Sequence, residues 1–311
     1  MMRSFKIIFG LLSFLLLSTL WLNQSQALTI SPLRIELSTN RGQEVEDVVK
    51  IFNETDKPLT IFVSTANFMA KGEGGEPYFI SLAEGEEDLA DWIEVEKGPI
   101  TVSPLEQKVI PFKVKVPAWA PPGGHFAAIF FSTAAPEIKG GAGVGIIGKV
   151  GALVLLRVSG DFKEEGRLAE FSLKEEKKFY DHLPVDFLIR FENTGTIHLK
   201  PVGNITIKNL LGKTSAVIEV NKTKGNVLPE STRRFEASWQ ENVAFGRYRA
   251  DLLLDYGSQG NKAYATLSFW VIPWRPTLIA IIIIAILLLL AYLGIKRYNR
   301  WIVSRALKKL Q

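Results

Sequence analysis

The sequence predicts an all-β protein: two immunoglobulin-like β-sandwiches in tandem, with an N-terminal signal peptide and one C-terminal transmembrane helix. Three observations carry this expectation. Between residues 28 and 274, β-branched and aromatic runs alternate with Gly, Pro, Asn and Asp turns, and helical periodicity is nearly absent. Two charge-free apolar stretches flank that region. Composition shifts once in the middle, at Ser159-Gly160-Asp161, which the charged run Lys163-Glu164-Glu165-Gly166-Arg167 follows.

Residues 1–27 read as a secretory signal. Arg3 and Lys6 precede an apolar core over 7–22, and Ser25-Gln26-Ala27 sets small residues where cleavage after Ala27 needs them. The first sandwich is expected over 28–160, with strands at 28–37, 44–52, 59–68, 92–95, 108–116, 126–133 and 145–158. Phe112, Val114 and Val116 alternate with Lys113 and Lys115, so one face of that strand is buried and the other wet. Residues 152–158 (ALVLLRV) are more continuously apolar, as a central strand requires. The second sandwich, 161–274, is expected to hold strands at 168–174, 185–193, 203–208, 215–220, 232–239, 246–256 and 263–272, with turns at Asn193-Thr194-Gly195 and 209–212.

A transmembrane helix is expected over 275–295. Its 19 residues from Thr277 to Ile295 carry no charge, and at about 1.5 Å each they cover about 28 Å, close to the hydrocarbon thickness. Lys and Arg are concentrated after it, which orients the C-terminus to the cytoplasm and leaves 28–274 outside, on a single-pass type I protein. The tail, 296–311, is basic and amphipathic. Ile302, Val303, Ala306, Leu307 and Leu310 share a face opposite Arg297, Arg305, Lys308 and Lys309, a pattern suited to an anionic inner leaflet or to a plain stop-transfer tail.

Charge and composition remove several function classes. The net charge of +5 comes from the ends, where nine of the 37 basic residues sit without an acid; the middle holds 28 basic against 32 acidic residues. No basic patch for nucleic acid is expected there. The absence of cysteine excludes disulfides, thiolate metal sites and cysteine nucleophiles. His125, His182 and His198 are too scattered for a readable metal cluster, and no GxSxG, HExxH or SxxK accompanies them, so neither an enzyme nor a cofactor is expected. Gly143-Val144-Gly145-Ile146-Ile147-Gly148 matches GxGxxG but leads into a strand rather than a helix, so it reads as a loop and not a dinucleotide cradle. The acidic run from Glu84 to Asp91 lacks calcium-loop spacing and reads as a solvated loop. Asn53-Glu54-Thr55, Asn204-Ile205-Thr206 and Asn221-Lys222-Thr223 fit the N-glycosylation sequon.

The candidate binding residues are Tyr78, Trp92, Trp119 and His125. The segment Trp119-Ala120-Pro121-Pro122-Gly123-Gly124-His125-Phe126 combines stiff prolines with a tight turn before an apolar strand. With Tyr78, Phe79 and Trp92 it offers aromatic surface at one end of the first sandwich, of the kind that suits a sugar or peptide; core packing is the plainer reading of any tryptophan.

An ordered set of turn and strand residues also carries a family resemblance. It begins with Ile30-Ser31-Pro32-Leu33-Arg34-Ile35-Glu36-Leu37, then a strand ending at Asn53 and Pro58-Leu59-Thr60-Ile61. Trp92-Ile93, Ile100-Thr101-Val102-Ser103-Pro104 and Pro121-Pro122-Gly123-Gly124 follow. In this the first half resembles the peptidoglycan-binding domain of the WxL-interacting protein family. Through Phe191-Glu192-Asn193-Thr194-Gly195, Leu228-Pro229-Glu230-Ser231 and Gly246-Arg247-Tyr248, the second half resembles that family's host-binding domain. The resemblance implies a non-catalytic bacterial surface adaptor or adhesion protein. Its partners would be peptidoglycan or WxL-type wall proteins, with an extracellular host or surface protein on the second domain. The early strands and the Pro-Pro-Gly-Gly crossover are also similar to the amino-terminal sandwich of pilus chaperones. That likeness implies the alternative, a chaperone-like protein that caps strands during surface assembly.

Overall fold

The computed structural model describes residues 28–308 apart from 84, 134–148, 176 and 242–243. The expected signal peptide and the glycine motif at 143–148 lie outside the described residues, as do the side chains of the tail beyond 302. The chain is mostly β-sheet with one C-terminal apolar helix. It divides into two compact units: the described residues up to Met69 with Pro77–Phe162, and Ala70–Glu76 with the residues from Lys163 onward.

The first unit packs a four-stranded sheet on a six-stranded one. The smaller sheet runs β1 (Leu28–Ser31), β3 (Glu44–Asn53), β8 (Gln107–Lys115), β6 (Ile93–Val95). The larger runs β2 (Arg34–Thr39), β10 (Lys149–Val158), β9 (Gly123–Ser132), β4 (Leu59–Ala70), β5 (Pro77–Ile80), with β7 (Ile100–Val102) paired to β4. The stretch 28–37, expected as one strand, is two. Pro32 has no N–H to give to a ladder; before it β1 pairs antiparallel with β3, and after it β2 pairs parallel with β10. Period-2 alternation fills the core. Ile110, Phe112 and Val114 of β8 face Ile61 and Val63 of β4 and Ile129 and Phe131 of β9, all nearly inaccessible to water. Removing a side chain of this size from water is worth about 1.5–3 kcal/mol.

Two local differences from the sequence expectation have plain causes. The short strands β5 and β7 have too few residues to show alternation, and they form only by pairing with longer neighbours. The end of the acidic run is not a solvated loop: Leu89–Trp92 forms a helical turn, α1, that buries Leu89, Ala90 and Trp92. Asn67 on β4 accepts a hydrogen bond from the Ala90 N–H at 2.8 Å, and the Thr65 hydroxyl donates to the Ala90 carbonyl at 3.1 Å, so the turn is pinned to the larger sheet.

The second unit has a three-stranded sheet, β11 (Gly166–Leu173), β13 (Val185–Asn193), β16 (Ser231–Trp239). Opposite it lies a five-stranded sheet, β12 (Phe179–Tyr180), β18 (Asn261–Val271), β17 (Gly246–Tyr256), β14 (Val202–Asn209), β15 (Thr214–Val220). Its core is more aromatic. Phe269 stands 5.8 Å from Phe187 and 5.9 Å from Trp239 between ring centroids. On the outer face of the larger sheet, Asp251 gathers Arg249 (2.6 Å), Thr266 (2.8 Å) and Lys208 (3.2 Å). Burial alone would push this carboxyl up, but the hydrogen bonds from Thr266, Arg249 and Lys208 outweigh it and hold the group below the usual carboxylate range.

Both units use a fully buried asparagine to close the strand that leads into a loop. Asn53 ends β3, donates to the carbonyls of Lys57, Ser103 and Val102, and accepts from Thr55. Asn193 ends β13, donates to Ile197 and Val227, and accepts from Gly195. Asn221 repeats the device after β15, donating to Pro201 and Gly225. Of the three sequons, only Asn204 has an exposed asparagine; Asn53 and Asn221 are engaged inside the fold.

The C-terminal helix, α2 (Trp274–Lys308), is 35 residues long. Its segment Trp274–Ile302 is long and apolar enough to cross a membrane, and none of its apolar window is covered by the rest of the chain. The expectation separated a span ending at 295 from the tail. The helix runs unbroken through both, and Lys296–Arg300 holds neither Gly nor Pro to stop it.

Candidate functional site

The two outer faces of the first unit differ in chemistry. On the smaller sheet the outward residues are charged. Lys113 bridges Glu46 at 2.8 Å and Glu44 at 3.0 Å, and Lys115 reaches Glu94 at 2.8 Å. Hydrogen bonds that Lys113 donates to Glu46 and Glu44 push its ammonium further up its range, and the bond to Glu44 holds that carboxyl below its own. A shallow open depression of about 420 Å³ lies at this sheet's edge, lined by Glu46, Glu94, Glu96, Pro111 and Lys113 among others. This is an ordinary solvated face.

The outer face of the larger sheet is charged at its β2 edge, where Arg34 pairs with Glu36 at 3.3 Å, and aromatic over β9, β4 and β5. Strand β9 sends His125, Ala127, Ile129 and Phe131 toward the core side, so Phe126, Ala128 and Phe130 point the other way. The same alternation turns Phe68 of β4 and Leu155 of β10 to that face, where both, like Ala128, are nevertheless buried. Four rings meet there: Phe79 of β5 is 4.8 Å from Phe130 and 6.1 Å from Phe68, and Phe68 is 5.9 Å from Phe126. Phe130 lies over Gly151, where a Cβ would come within 2.9 Å of the ring. A small residue there makes room for an aromatic one on the neighbouring strand.

Three of the four candidate residues come together at a corner of this unit. The Trp92 and His125 rings are 4.7 Å apart, and Trp119 stands edge-on to Trp92 at 6.0 Å. Their exposure is not uniform. Trp92 and His125 are buried, whereas Trp119 is 60% exposed and presents its ring to solvent. His125 Nδ1 contacts Asp88 Oδ1 at 2.5 Å and Nε2 contacts the Pro121 carbonyl at 3.0 Å, so both ring nitrogens are engaged within the protein. The Trp92 indole N–H is buried with no acceptor among the described residues, a cost of about 1–3 kcal/mol. Tyr78 is not in this group; it stands half-exposed on β5 beside Phe79.

Sequence reasoning did not single out Asp88, Phe68 or Phe130. The signal for the phenylalanines was present. Residues 126–132 (FAAIFFS) are apolar at both odd and even positions, which a strand with one wet face does not need.

No family model matches the chain, and no curated protein matches it. Solved structures similar to it include the class 5 fimbriae chaperone CfaA, at 14% identity over 79% of this chain and 100% of that one, with a TM-score of 0.39. The E. coli chaperone DraB is similar at 11% identity over 79% and 98%, TM-score 0.35. The Pseudomonas aeruginosa CupB2 chaperone is similar at 12% over 78% and 100%, TM-score 0.34. Scores this low carry neither residue roles nor partners across to this chain.

Proposed function

We propose that the chain is a membrane-tethered, non-catalytic capture protein. Its first unit would hold an extended or incompletely assembled protein partner against the aromatic part of the larger sheet's outer face. The contrast between the two outer faces is the observation that carries this reading. One is laced with ion pairs, as water requires, while the other gathers four rings, of which Phe79 is exposed, Phe126 and Phe130 are half-buried and Phe68 is buried beneath them. Apolar clusters of this kind at a soluble surface suit a protein ligand. Strand β2, at the edge of the same sheet on the far side of β10 from these rings, gives an extended segment a ladder to join. Two immunoglobulin-like sandwiches outside the membrane, a cleaved signal peptide and a cytoplasmic C-terminus complete the proposal. The basic residues that follow the apolar span support that orientation. A catalytic His125 is disfavoured because neither of its nitrogens is left for a substrate.

Photo-crosslinking on intact cells tests this. A crosslinker at Phe126 or Phe79 should trap protein, and Phe130→Asp should lower the yield at least about tenfold, the effect of losing roughly 1.4 kcal/mol of binding. An undiminished yield from a variant with unchanged circular dichroism would reject the site.

One observation favours a second reading, the wall-binding adaptor of the WxL-interacting type. Trp119 offers an exposed ring braced from behind by Trp92, a geometry on which a sugar face can stack. If that reading holds, Trp119→Ala will lose retention on purified cell wall while Phe130→Asp keeps it.

A further inference from the structure

The two ends of the five-stranded sheet in the second unit display different chemistry. Register sets Asn209, Tyr248 and Phe269 in one row, with Val271 two residues farther along β18. The turn between β14 and β15 therefore lies at the same end as the start of β17, the end of β18 and the short strand β12. That end is apolar. Leu210 and Leu211 form the turn tip at 74% and 89% exposure. Phe245 is exposed just before β17. On β12 the exposed Phe179 stacks on Trp270, with centroids 6.3 Å apart. At the opposite end, the β17–β18 turn is Gly257-Ser258-Gln259-Gly260. Single exposed apolar residues are ordinary, but here several neighbouring strand ends project them in one direction. Two acids nearby have basic partners: Asp181 contacts His182 at 2.5 Å, and Glu175 accepts from Lys177 at 3.0 Å.

The chain also leaves the unit at this end. Only Ile272 and Pro273 separate the last residue of β18 from Trp274, the first of α2. Three Cα steps reach at most about 11 Å, so the apolar end stays close to wherever the helix enters its bilayer. We infer that this end of the second unit rests in the headgroup layer, with Leu210, Leu211, Phe179 and Trp270 dipped into the interface. The inference depends on the reading of α2 as a membrane span. Within that reading, the bilayer is the occupant that chain continuity itself brings to this surface. Aromatic side chains favour that depth, where one edge meets lipid and the other meets water.

The cysteine-free chain makes the test clean, since an introduced thiol is unique. Leu211→Cys, Phe179→Cys, Gln259→Cys and Leu287→Cys are each made in the full-length protein and spin-labelled. The protein is reconstituted into vesicles of phosphatidylcholine and phosphatidylglycerol. The collision rates of each label with oxygen and with a water-soluble nickel chelate are then measured. The expected result is nickel accessibility several-fold lower at Leu211 and Phe179 than at Gln259, with Leu287 shielded most. Shielding at Leu287 with either Leu211 or Phe179 as accessible as Gln259 overturns the docking and leaves the span standing. A Leu287 label as accessible as Gln259 overturns the span itself, and the docking with it.

Discussion

Asn53 is the side chain whose removal should be felt most for its size. Its amide donates to the carbonyls of Lys57 at 2.8 Å, Ser103 at 2.9 Å and Val102 at 3.2 Å, and its oxygen accepts from the Thr55 N–H at 3.0 Å and hydroxyl at 2.7 Å. Two amide protons serve three carbonyls, so one proton is shared. Asn53→Ala thus loses about four hydrogen bonds at about 1 kcal/mol each, and it leaves buried acceptors in a space too small to hydrate them fully. The expected loss is about 4 kcal/mol, at the upper end for a single substitution. Asn53→Asp should be worse at neutral pH, because a carboxylate oxygen would face the carbonyls that the amide donated to. Urea unfolding of residues 28–272, followed by tryptophan emission, gives the measurement. Trp92 and Trp119 report the first unit, and Trp239 and Trp270 the second. Asn193→Ala, with bonds to Ile197, Val227 and Gly195, should shift the second transition by about 3 kcal/mol. A loss below about 1 kcal/mol for Asn53→Ala would refute the hydrogen-bond accounting.

Other expectations follow from single features. Asp251 has its carboxyl held low in the folded state, so the stability it contributes is complete above the unfolded value of about 4 and disappears as pH falls through the folded one. Asp251→Asn should therefore flatten the acid limb of a stability-against-pH curve, and an unchanged limb would show that other carboxylates set it. Expressed in a glycosylating host, the chain should gain sugar at Asn204 alone among its three sequons, seen as one gel shift that Asn204→Gln removes. Gly151→Val would drive its side chain into the Phe130 ring, and it should cost about 1–3 kcal/mol by thermal melting, as overpacked sites do.

Long alternating strands were legible in the sequence, and strand β17 coincides with the expected 246–256 residue for residue. What escaped was whatever depends on a distant partner. The parallel pairing of β2 with β10 joins Ile35 to Val154, and nothing local to either strand announces it. Pro32 was visible, but its role as the point of sheet exchange needed both ladders. The two-residue β12 exists only because β18 offers an edge. The binding candidates show the same limit. Aromatic composition drew attention to Trp92, yet its burial comes from the turn at Leu89 that packs it inward. In the run from Phe126 to Phe131, both alternating sets are apolar, so sequence alone cannot say which set faces the core. The sequons misdirect for a related reason, because a short polar motif at a strand end serves equally well as an internal clamp.

The brevity of the joint between β18 and α2 has a mechanical consequence. When the helix is held fast and the outer part of the chain is pulled, the second unit receives the load through β18, with no slack to absorb it. That strand is registered against β17 by eleven residue pairs, from Gly246 with Val271 to Tyr256 with Asn261. Tension along the strand axis loads those pairs together in shear, instead of opening them one after another. The second unit is thereby shaped to bear traction along that strand.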